Sequence, residues 1–398
     1  MTAPNGPGRG KVAVVETWPE TVLADVRRAM ELAGYRKALP RDNDTVLAIE
    51  MSTRTWYPTV STNPWQLEGV IRTLQPNGYD RLVAIAEGPT GHDASVGTKN
   101  HKLGYVIGKY GLPSVHLDAP HIERVRYAPT KPFLVLDRLV PDGVTIPKVL
   151  AGRNVVHLPT VRPHALTAIA GAMLNARGGL LNDRRQQTLA AINETVVDLL
   201  QIQQDIHPGL LAVMDGTLAA EGAGSRERNL VLVSADQVAI DSVSASLQGF
   251  DPSDLPFIRI AHEKGLGVGD PSEIEIVGHD CTLAGWLSLM RDTTLAKRQR
   301  PGDGGLLAGF EKRLLASPAA ALTVSAADLC RSAYWNPRDG RKRVKQALNT
   351  EWGQLFASYG DGRVAMPGAG PVPAALAALG AAGLLAGIVF GAKAIRKG

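Results

Sequence analysis

The chain has 398 residues and a formal net charge of +5, with 44% hydrophobic and 20% charged residues. This composition excludes an intrinsically disordered chain, and the length allows one large domain with an appendage, or two domains. Two cysteines, Cys281 and Cys330, are too few for a disulfide framework or a four-cysteine iron–sulfur cluster. The opening residues, MTAPNGPGRGKV, lack the apolar core of a secretory signal peptide.

Apolar runs that alternate with helical spacings predict an α/β fold, with a layered, mostly parallel sheet flanked by helices. Strands are predicted at 11–16, 45–51, 81–86, 114–117, 133–136, 154–158 and 274–277. Helices are predicted at 18–33, after Ser61-Thr62-Asn63-Pro64, and at 165–177, 188–204 and 254–264.

A central block at 209–249 carries the most specific pattern in the chain. Its apolar run at 210–214 is predicted to be a strand that stops in a turn at Asp215-Gly216. A glycine-containing loop follows, and then a second strand at 230–233 and a helix for which Asp236 is the N-cap. Two strand ends would therefore present carboxylates beside a loop, the usual place of a site in an open α/β sheet.

This block resembles the DUF362 family, whose members carry an aspartate-glycine, a glutamate-glycine loop and an aspartate before Val-Ala-x-Asp. The matching residues are Asp215-Gly216, Glu221-Gly222-Ala223-Gly224 and Asp236-Gln237-Val238-Ala239-Ile240-Asp241. The resemblance implies a fold rather than a reaction, because the family is largely uncharacterised. Many relatives carry a ferredoxin-like iron–sulfur module, for which this chain lacks the cysteines, so redox chemistry would need an outside cofactor. The sequence identifies none.

Two polar residues follow the predicted strand at 81–86, in the glycine-containing run EGPTGHD. Glu87 is a candidate for proton transfer and His92 for substrate contact, because glycines at a strand-to-helix turn let backbone amides approach an anion. Solvated loop residues are the alternative. The family often has Thr-x-Pro before the helix at 64, which implies that Thr62 contacts substrate. An ordinary capped helix start is the alternative there.

The stretch after the strand at 154–158 departs from the family, which typically has Lys-x-Lys-Thr-His there. Thr160 and Arg162 stand where lysines are usual, and His164 is kept. Asn175 matches a family Lys-Asn, but Leu174 replaces its lysine. These departures weaken a mechanism that needs a lysine base or Schiff base. Arg162 could instead hold a carboxylate or phosphate through two hydrogen bonds, and His164 could move a proton. A histidine that bonds to backbone at a helix start is the alternative.

The carboxylates of the central block could together ligate a hard cation such as Mg²⁺, but their spacing matches no recognised metal motif. Helix capping by Asp236 and buried hydrogen bonding by Asp241 are the alternative roles. We therefore predict no metal site. The predicted substrate contacts in this block are Asp215, Glu221, Gly222 and Gly224.

Four regions are predicted along the chain: a disordered start at 1–10, the α/β domain at 11–280, a basic helical appendage at 281–363 and a C-terminal anchor at 364–398. Between Arg291 and Lys345 there are twelve Lys and Arg against five Asp and Glu. This basic stretch lies just before an apolar tail, which favours an anionic membrane surface over nucleic acid as its partner.

The tail carries no charged residue from Val364 to Ala392. A helix from Pro373 to Ala392 would cross a hydrocarbon layer of about 30 Å. Gly383, Gly387 and Gly391 recur every fourth residue, as in transmembrane helix pairs, which predicts a homodimer through this face. A soluble docking helix is the alternative. The basic stretch before the span places the body on the cytoplasmic face.

Two functions are consistent with these features. The first is a membrane-anchored enzyme acting on a small anionic or carbonyl-bearing substrate, bound where the strands' carboxyl ends meet. The second is a non-catalytic, membrane-tethered protein that binds a ligand or a redox partner. The concentration of polar residues at strand ends favours the enzyme.

Overall fold

An eight-stranded sheet organises the part of the chain that the computed structural model describes: residues 7–86, 94–119, 121–164, 166–181, 187–221, 224–278 and 339–368. The strands of this part are β1 (Lys11–Glu16), β2 (Thr45–Ile49), β3 (Leu82–Ala86), β4 (Ser114–His116), β5 (Arg124–Arg126), β6 (Thr145–Pro147), β7 (Asn154–Leu158), β8 (Arg162–His164), β9 (Ala168–Ala170), β10 (Leu210–Glu221), β11 (Gly224–Ser234) and β12 (Glu275–Gly278). Their order across the sheet is β12–β1–β11–β10–β7–β2–β3–β4, and β5–β6 and β8–β9 form separate two-stranded sheets. Neighbouring strands of the large sheet are parallel except where β11 pairs with β1 and β10, so the predicted mostly parallel sheet is confirmed.

Helices cover both faces of this sheet. In the described residues they are α1 (Val22–Leu32), α2 (Tyr35–Ala38), α3 (Pro64–Leu74), α4 (Ala94–Asn100), α5 (Leu103–Lys109), α6 (Leu136–Leu139), α7 (Ala172–Leu181), α8 (Ile192–Ile206), α9 (Gln237–Leu247), α10 (Pro256–Glu263), α11 (Arg341–Leu348) and α12 (Glu351–Ser358). On the first face, α1, α3, α5, α11 and α12 share one core with inward residues such as Leu47 and Val156. On the second face, α7 and α8 pack against Val46 and Val155, and α9 packs against β1 and β10. This alternation follows from the pleat, which points successive side chains of a strand to opposite faces.

The strand order reverses between β7 and β2. From β2 the chain crosses the first face through α3 to reach β3, whereas from β7 it crosses the second face through α7 and α8 to reach β10. Since β3 and β10 lie on opposite sides of the β7–β2 pair, the two connections leave a crevice beyond the carboxyl ends of these strands. Open α/β sheets bind their ligands at such a point.

The predicted turn at Asp215-Gly216 is wrong, because β10 continues to Glu221. Its antiparallel partner β11 pairs along this whole length, with one register shift between Gly216 and Leu218. The carboxylate of Asp215 accepts a hydrogen bond from the backbone N–H of Thr217 at 2.8 Å, which satisfies a donor beside the shift. Glu221 and Gly224 therefore form the last residue pair of two long antiparallel strands.

Two further predicted elements differ from the structure. Residues 133–136 are not a strand, because the backbone N–H groups of Leu134 and Val135 donate to the carboxylate of Asp198, at 2.7 and 2.9 Å, ahead of α6. The helix predicted at 165–177 is replaced by β9 and then α7, because the chain after β8 folds back as a short antiparallel pair before the helix starts.

The described end of the predicted appendage packs on the first face of the sheet. The ring of Phe356 stacks on Trp56, with ring centroids 4.0 Å apart. The rings of Trp352 and Trp65 also pack together, with ring centroids 5.2 Å apart. The helices α11 and α12 are therefore part of the same core as α1 and α3. Within the described residues, none of the helices combines the length and the apolar character needed to cross a membrane. The rest of the appendage and the predicted anchor, with Gly383, Gly387 and Gly391, lie outside the described residues.

Candidate functional site

A cavity of about 190 Å³ lies on the second face of the sheet, at the reversal of strand order. Its walls come from the last residues of β2, β3 and β7 and from α7 and α8. Apolar side chains such as Ile85, Val155 and Leu180 form much of the surface. The polar residues that line it are Glu50, Ser52, His157, Arg162, His164, Asn175, Arg177, Gln203 and His207.

A buried ion pair lines the cavity. Glu50 follows β2 directly, and Arg162 begins β8, just after β7. Arg162 donates from Nε to Glu50 Oε1 at 3.0 Å and from Nη2 to the same oxygen and to Ser52 Oγ, the latter at 2.9 Å. The other oxygen, Glu50 Oε2, accepts from the backbone N–H and the hydroxyl of Thr160, at 3.0 and 3.1 Å. The guanidinium is thus held by protein, and among the described residues its Nη1 has no acceptor.

His164 lies beside this pair, at the end of β8. Its Nδ1 is 2.8 Å from the hydroxyl of Thr167, which donates to the backbone carbonyl of Ile169 at 2.7 Å. Burial, together with the charges of Arg162 and Arg177, lowers the pKa of His164 from 6.5 to about 4. The imidazole is therefore neutral at neutral pH.

Three other side chains that line the cavity are joined in a row by hydrogen bonds. Asn175 Nδ2 donates to the backbone carbonyl of Ala48 at 3.1 Å and to His157 Nδ1 at 3.2 Å. His157 then donates from Nε2 to Gln203 Oε1 at 2.5 Å. Burial lowers the pKa of His157 from 6.5 to about 4, so this row carries no charge at neutral pH.

His207, just after α8, also lines the cavity. Its Nδ1 lies 2.7 Å from the backbone carbonyl of Arg153, to which it donates. Burial lowers its pKa from 6.5 to about 3. The cavity therefore combines the Glu50–Arg162 ion pair and Arg177 with three neutral imidazoles.

Other residues predicted for substrate contact lie elsewhere. Asp215 is 2% exposed and does not line the cavity. Its carboxylate accepts from Asn63 Nδ2 at 3.1 Å, from Trp65 Nε1 at 2.7 Å and twice from Thr217, which is a structural arrangement. Thr62 is buried and bridges two strands, since its hydroxyl donates to Leu158 O at 2.6 Å and accepts from the backbone N–H of Glu50 at 2.8 Å.

The remaining predicted contacts are in or beside parts of the chain that are not described. Gly224 begins β11 and Glu221 ends β10. Gly222, Glu87, His92 and the side chain of Glu221 lie outside the described residues.

Two aspartates of the central block have the local roles expected for them. The helix-capping role of Asp236 is confirmed, because its side chain accepts from the N–H groups of Val238 and Ala239, both at 3.0 Å. Asp241 accepts from the N–H groups of Ala172 and Met173, at 2.7 and 3.1 Å, and so caps the start of α7. This contact fixes the helix that carries Asn175.

Sequence reasoning missed Arg177, on α7, and it also missed Glu50, Ser52, His157, Gln203 and His207. The sequence does give a signal for Glu50 and Ser52. Both follow an apolar run directly, so they are expected at the carboxyl end of a strand, where ligands bind in an open α/β sheet. His157 lies within the apolar run of β7, and the other two lie at the end of an amphipathic helix. No local pattern distinguishes those three from ordinary buried polar residues.

Comparison with known proteins gives one match. A family model described as "Domain of unknown function (DUF362)" matches residues 46–246. This range runs from β2 to α9 and includes every polar residue of the cavity named above. No curated protein and no solved structure matches the chain significantly.

Proposed function

The chain belongs to the DUF362 family, and from this premise we propose that it is an enzyme acting on a small anionic or carbonyl-bearing substrate. The substrate binds in the cavity beyond β7 and β2. One observation carries the proposal: a neutral imidazole and a guanidinium line the same cavity at the reversal of strand order. A cation orients an anionic or carbonyl oxygen, and a neutral imidazole accepts a proton.

Arg162, Glu50 and His164 each have a separate role in this proposal. Arg162 binds the substrate's oxygen through Nη1, while Glu50 holds the guanidinium plane in position through Nε and Nη2. His164 accepts the proton, because its low pKa keeps a lone pair on the ring at neutral pH. The apolar walls exclude water, which strengthens the electrostatic contacts inside.

Ligand binding without catalysis is the second candidate function. The pKa of about 4 favours it, because a base is most effective when its pKa lies near the working pH. Incubation of a bound acid with the protein, followed by proton NMR, separates the two. An enzyme converts the acid or exchanges its protons with solvent, whereas a binding protein leaves it unchanged.

Replacing Arg162 with lysine is expected to weaken binding of a small carboxylate such as lactate by about ten- to a hundredfold. The lysine keeps the positive charge opposite Glu50 but loses the second arm of the guanidinium, and one charge-assisted hydrogen bond is worth about 1.5–3 kcal/mol. Isothermal titration calorimetry on the full chain measures the change. Arg138→Lys is the matched control, because Arg138 lies on the exposed side of α6, away from the cavity. Equal affinities in the two variants would exclude Arg162 from the site.

We propose separately that the tail places this body at a membrane, with the charge-free segment 364–392 as the anchor. This proposal depends on the sequence alone. The full chain is expected to float with phosphatidylglycerol-containing vesicles in a density gradient, and a chain ending at Met366 is expected to remain at the bottom. Flotation of both would assign membrane binding to the body, and flotation of neither would contradict an anchor.

A further inference from the structure

Backbone carbonyls determine which atoms of the cavity side chains donate hydrogen bonds and which accept them, because a carbonyl accepts hydrogen bonds and cannot donate one. His164 is the first case. The hydroxyl proton of Thr167 is committed to Ile169 O, so Nδ1 of His164 must carry the proton of the 2.8 Å contact. The backbone N–H of Thr167 is also 3.4 Å from Nδ1, and we assign the proton from the two shorter contacts, in which the hydroxyl donates to Ile169 O and accepts from Nδ1. Nε2 of His164 is therefore an acceptor.

Asn175 is fixed in the same way. Ala48 O requires the amide nitrogen of Asn175 on its side, and the same nitrogen donates to His157. The oxygen Oδ1 is left as an acceptor, and no donor in the described part of the chain reaches it. The row continues to Gln203, whose Oε1 accepts from His157 and whose buried Nε2 finds no acceptor among the described residues.

His207 completes the set. Its Nδ1 donates to Arg153 O, so the neutral ring presents a lone pair at Nε2. His164, Asn175 and His207 therefore each contribute one acceptor atom without a hydrogen bond from a described residue, and all three line the cavity. A ligand that satisfies them must bring hydrogen-bond donors.

The local charge decides which donors suit the cavity. Arg162 and Arg177 both act on His164 as positive charges, and the carboxylate of Glu50 is already bound by Arg162 and Thr160. An ammonium group would therefore find no free carboxylate among the described side chains that line the cavity. A carbonyl group brings no donor. A hydroxyl donates and also accepts, so it can bind the three acceptors and the amide of Gln203.

We propose that the substrate is a small hydroxy acid, with its carboxylate against Arg162 and each of its hydroxyl groups donating to one of the three acceptors, on His164, Asn175 and His207. The inference rests on the proposed function for the carboxylate and goes beyond it for the hydroxyl groups. A three- or four-carbon acid suits a cavity of this size.

Isothermal titration calorimetry on the full chain tests it with propionate, pyruvate, lactate and glycerate, which share three carbons and one carboxylate. Lactate and glycerate are expected to bind at least about tenfold tighter than propionate and pyruvate, because only the first two bring hydroxyl donors to the acceptors that line the cavity. In His164→Phe, which removes the acceptor and keeps an aromatic ring, the preference is expected to fall below about threefold. His121→Phe makes the same change at an exposed position outside the cavity and should keep the full preference.

Each outcome separates the inference from the proposed function. Equal binding of all four acids overturns the hydroxyl inference and leaves the carboxylate site. Binding of glycerol without binding of any acid supports the hydroxyl contacts and overturns the anionic end. A full preference in His164→Phe overturns the role of His164, and no binding of any probe overturns both.

Discussion

Replacing Glu50 with alanine is expected to lower the free energy of unfolding by about 3–5 kcal/mol, because removing one partner leaves a buried charge uncompensated. Glu50 is 7% exposed and accepts hydrogen bonds from both Arg162 and Thr160. Without Glu50, the guanidinium of Arg162 would have no carboxylate partner. The backbone N–H of Thr160 would also lose its acceptor. The ion pair joins the ends of β2 and β7, so the carboxylate probes should lose affinity as well. Urea denaturation monitored by circular dichroism measures the stability.

Glu123→Ala is the matched control for that experiment. Glu123 pairs with Lys148 at 2.9 Å, but the two side chains are 66% and 61% exposed. An exposed pair contributes about 0–1 kcal/mol, so this variant should be close to wild type. If Glu50→Ala loses no more stability than Glu123→Ala, the buried pair does not hold the two strand ends together.

Lowering the pH from 6.5 to 4 is expected to remove most of the stability that four buried histidines contribute. Burial lowers the pKa of four histidines from 6.5, to about 4 for His101, His157 and His164 and to about 3 for His207. In the unfolded chain these rings take up protons near pH 6.5, whereas in the folded protein they stay neutral until about pH 4. Their contribution to stability is therefore complete above pH 6.5 and is lost as the pH falls. A shift of this size corresponds to about 3 kcal/mol for each ring.

Asp241 acts in the opposite direction. Burial raises its pKa from 3.8 to about 7, so the folded protein binds this proton more tightly than the unfolded chain does. Between these values stability falls as the pH rises, because ionisation of the buried carboxylate becomes favourable only on unfolding. Burial also raises the pKa values of Asp198, Asp215 and Asp236, so four carboxyl groups oppose the four histidines, and a histidine variant is needed to isolate the histidine contribution.

Urea denaturation at several pH values measures this linkage, and His157→Gln tests its source. Removing one buried ring should reduce the pH dependence by close to one proton. His121→Gln, at an exposed position, should leave it unchanged. An equal pH dependence in the wild type and in His157→Gln would show that this ring is already accessible to protons in the folded state.

Much of the fold follows from the sequence, because apolar runs and their spacing report burial directly. The runs at 45–51, 81–86 and 154–158 are β2, β3 and β7 of the sheet. Asp215-Gly216 misled the prediction for a physical reason: a polar residue and a glycine usually end a strand, but here buried donors satisfy the carboxylate and β11 keeps pairing.

The site was predictable only in part. The family resemblance pointed to Arg162, His164 and Asn175, which the fold brings to one cavity. It could not supply the partner of Arg162, because the Glu50 contact depends on β2 and β7 being neighbours, and strand order is not encoded locally. The sequence also could not show which atoms of His164 and Asn175 donate and which accept hydrogen bonds, since this depends on the carbonyls of residues that are close in space.

Histidine side-chain ¹⁵N spectra of the full chain, recorded during titration with glycerate, test the central claim most directly. We expect the Nε2 signals of His164 and His207 to shift as hydroxyl groups donate to them. The signals of His101, which is buried on the other face of the sheet, should stay in place. Movement of His164 and His207 alone places the ligand in the cavity. If both stay in place at saturating glycerate, the cavity is not the binding site.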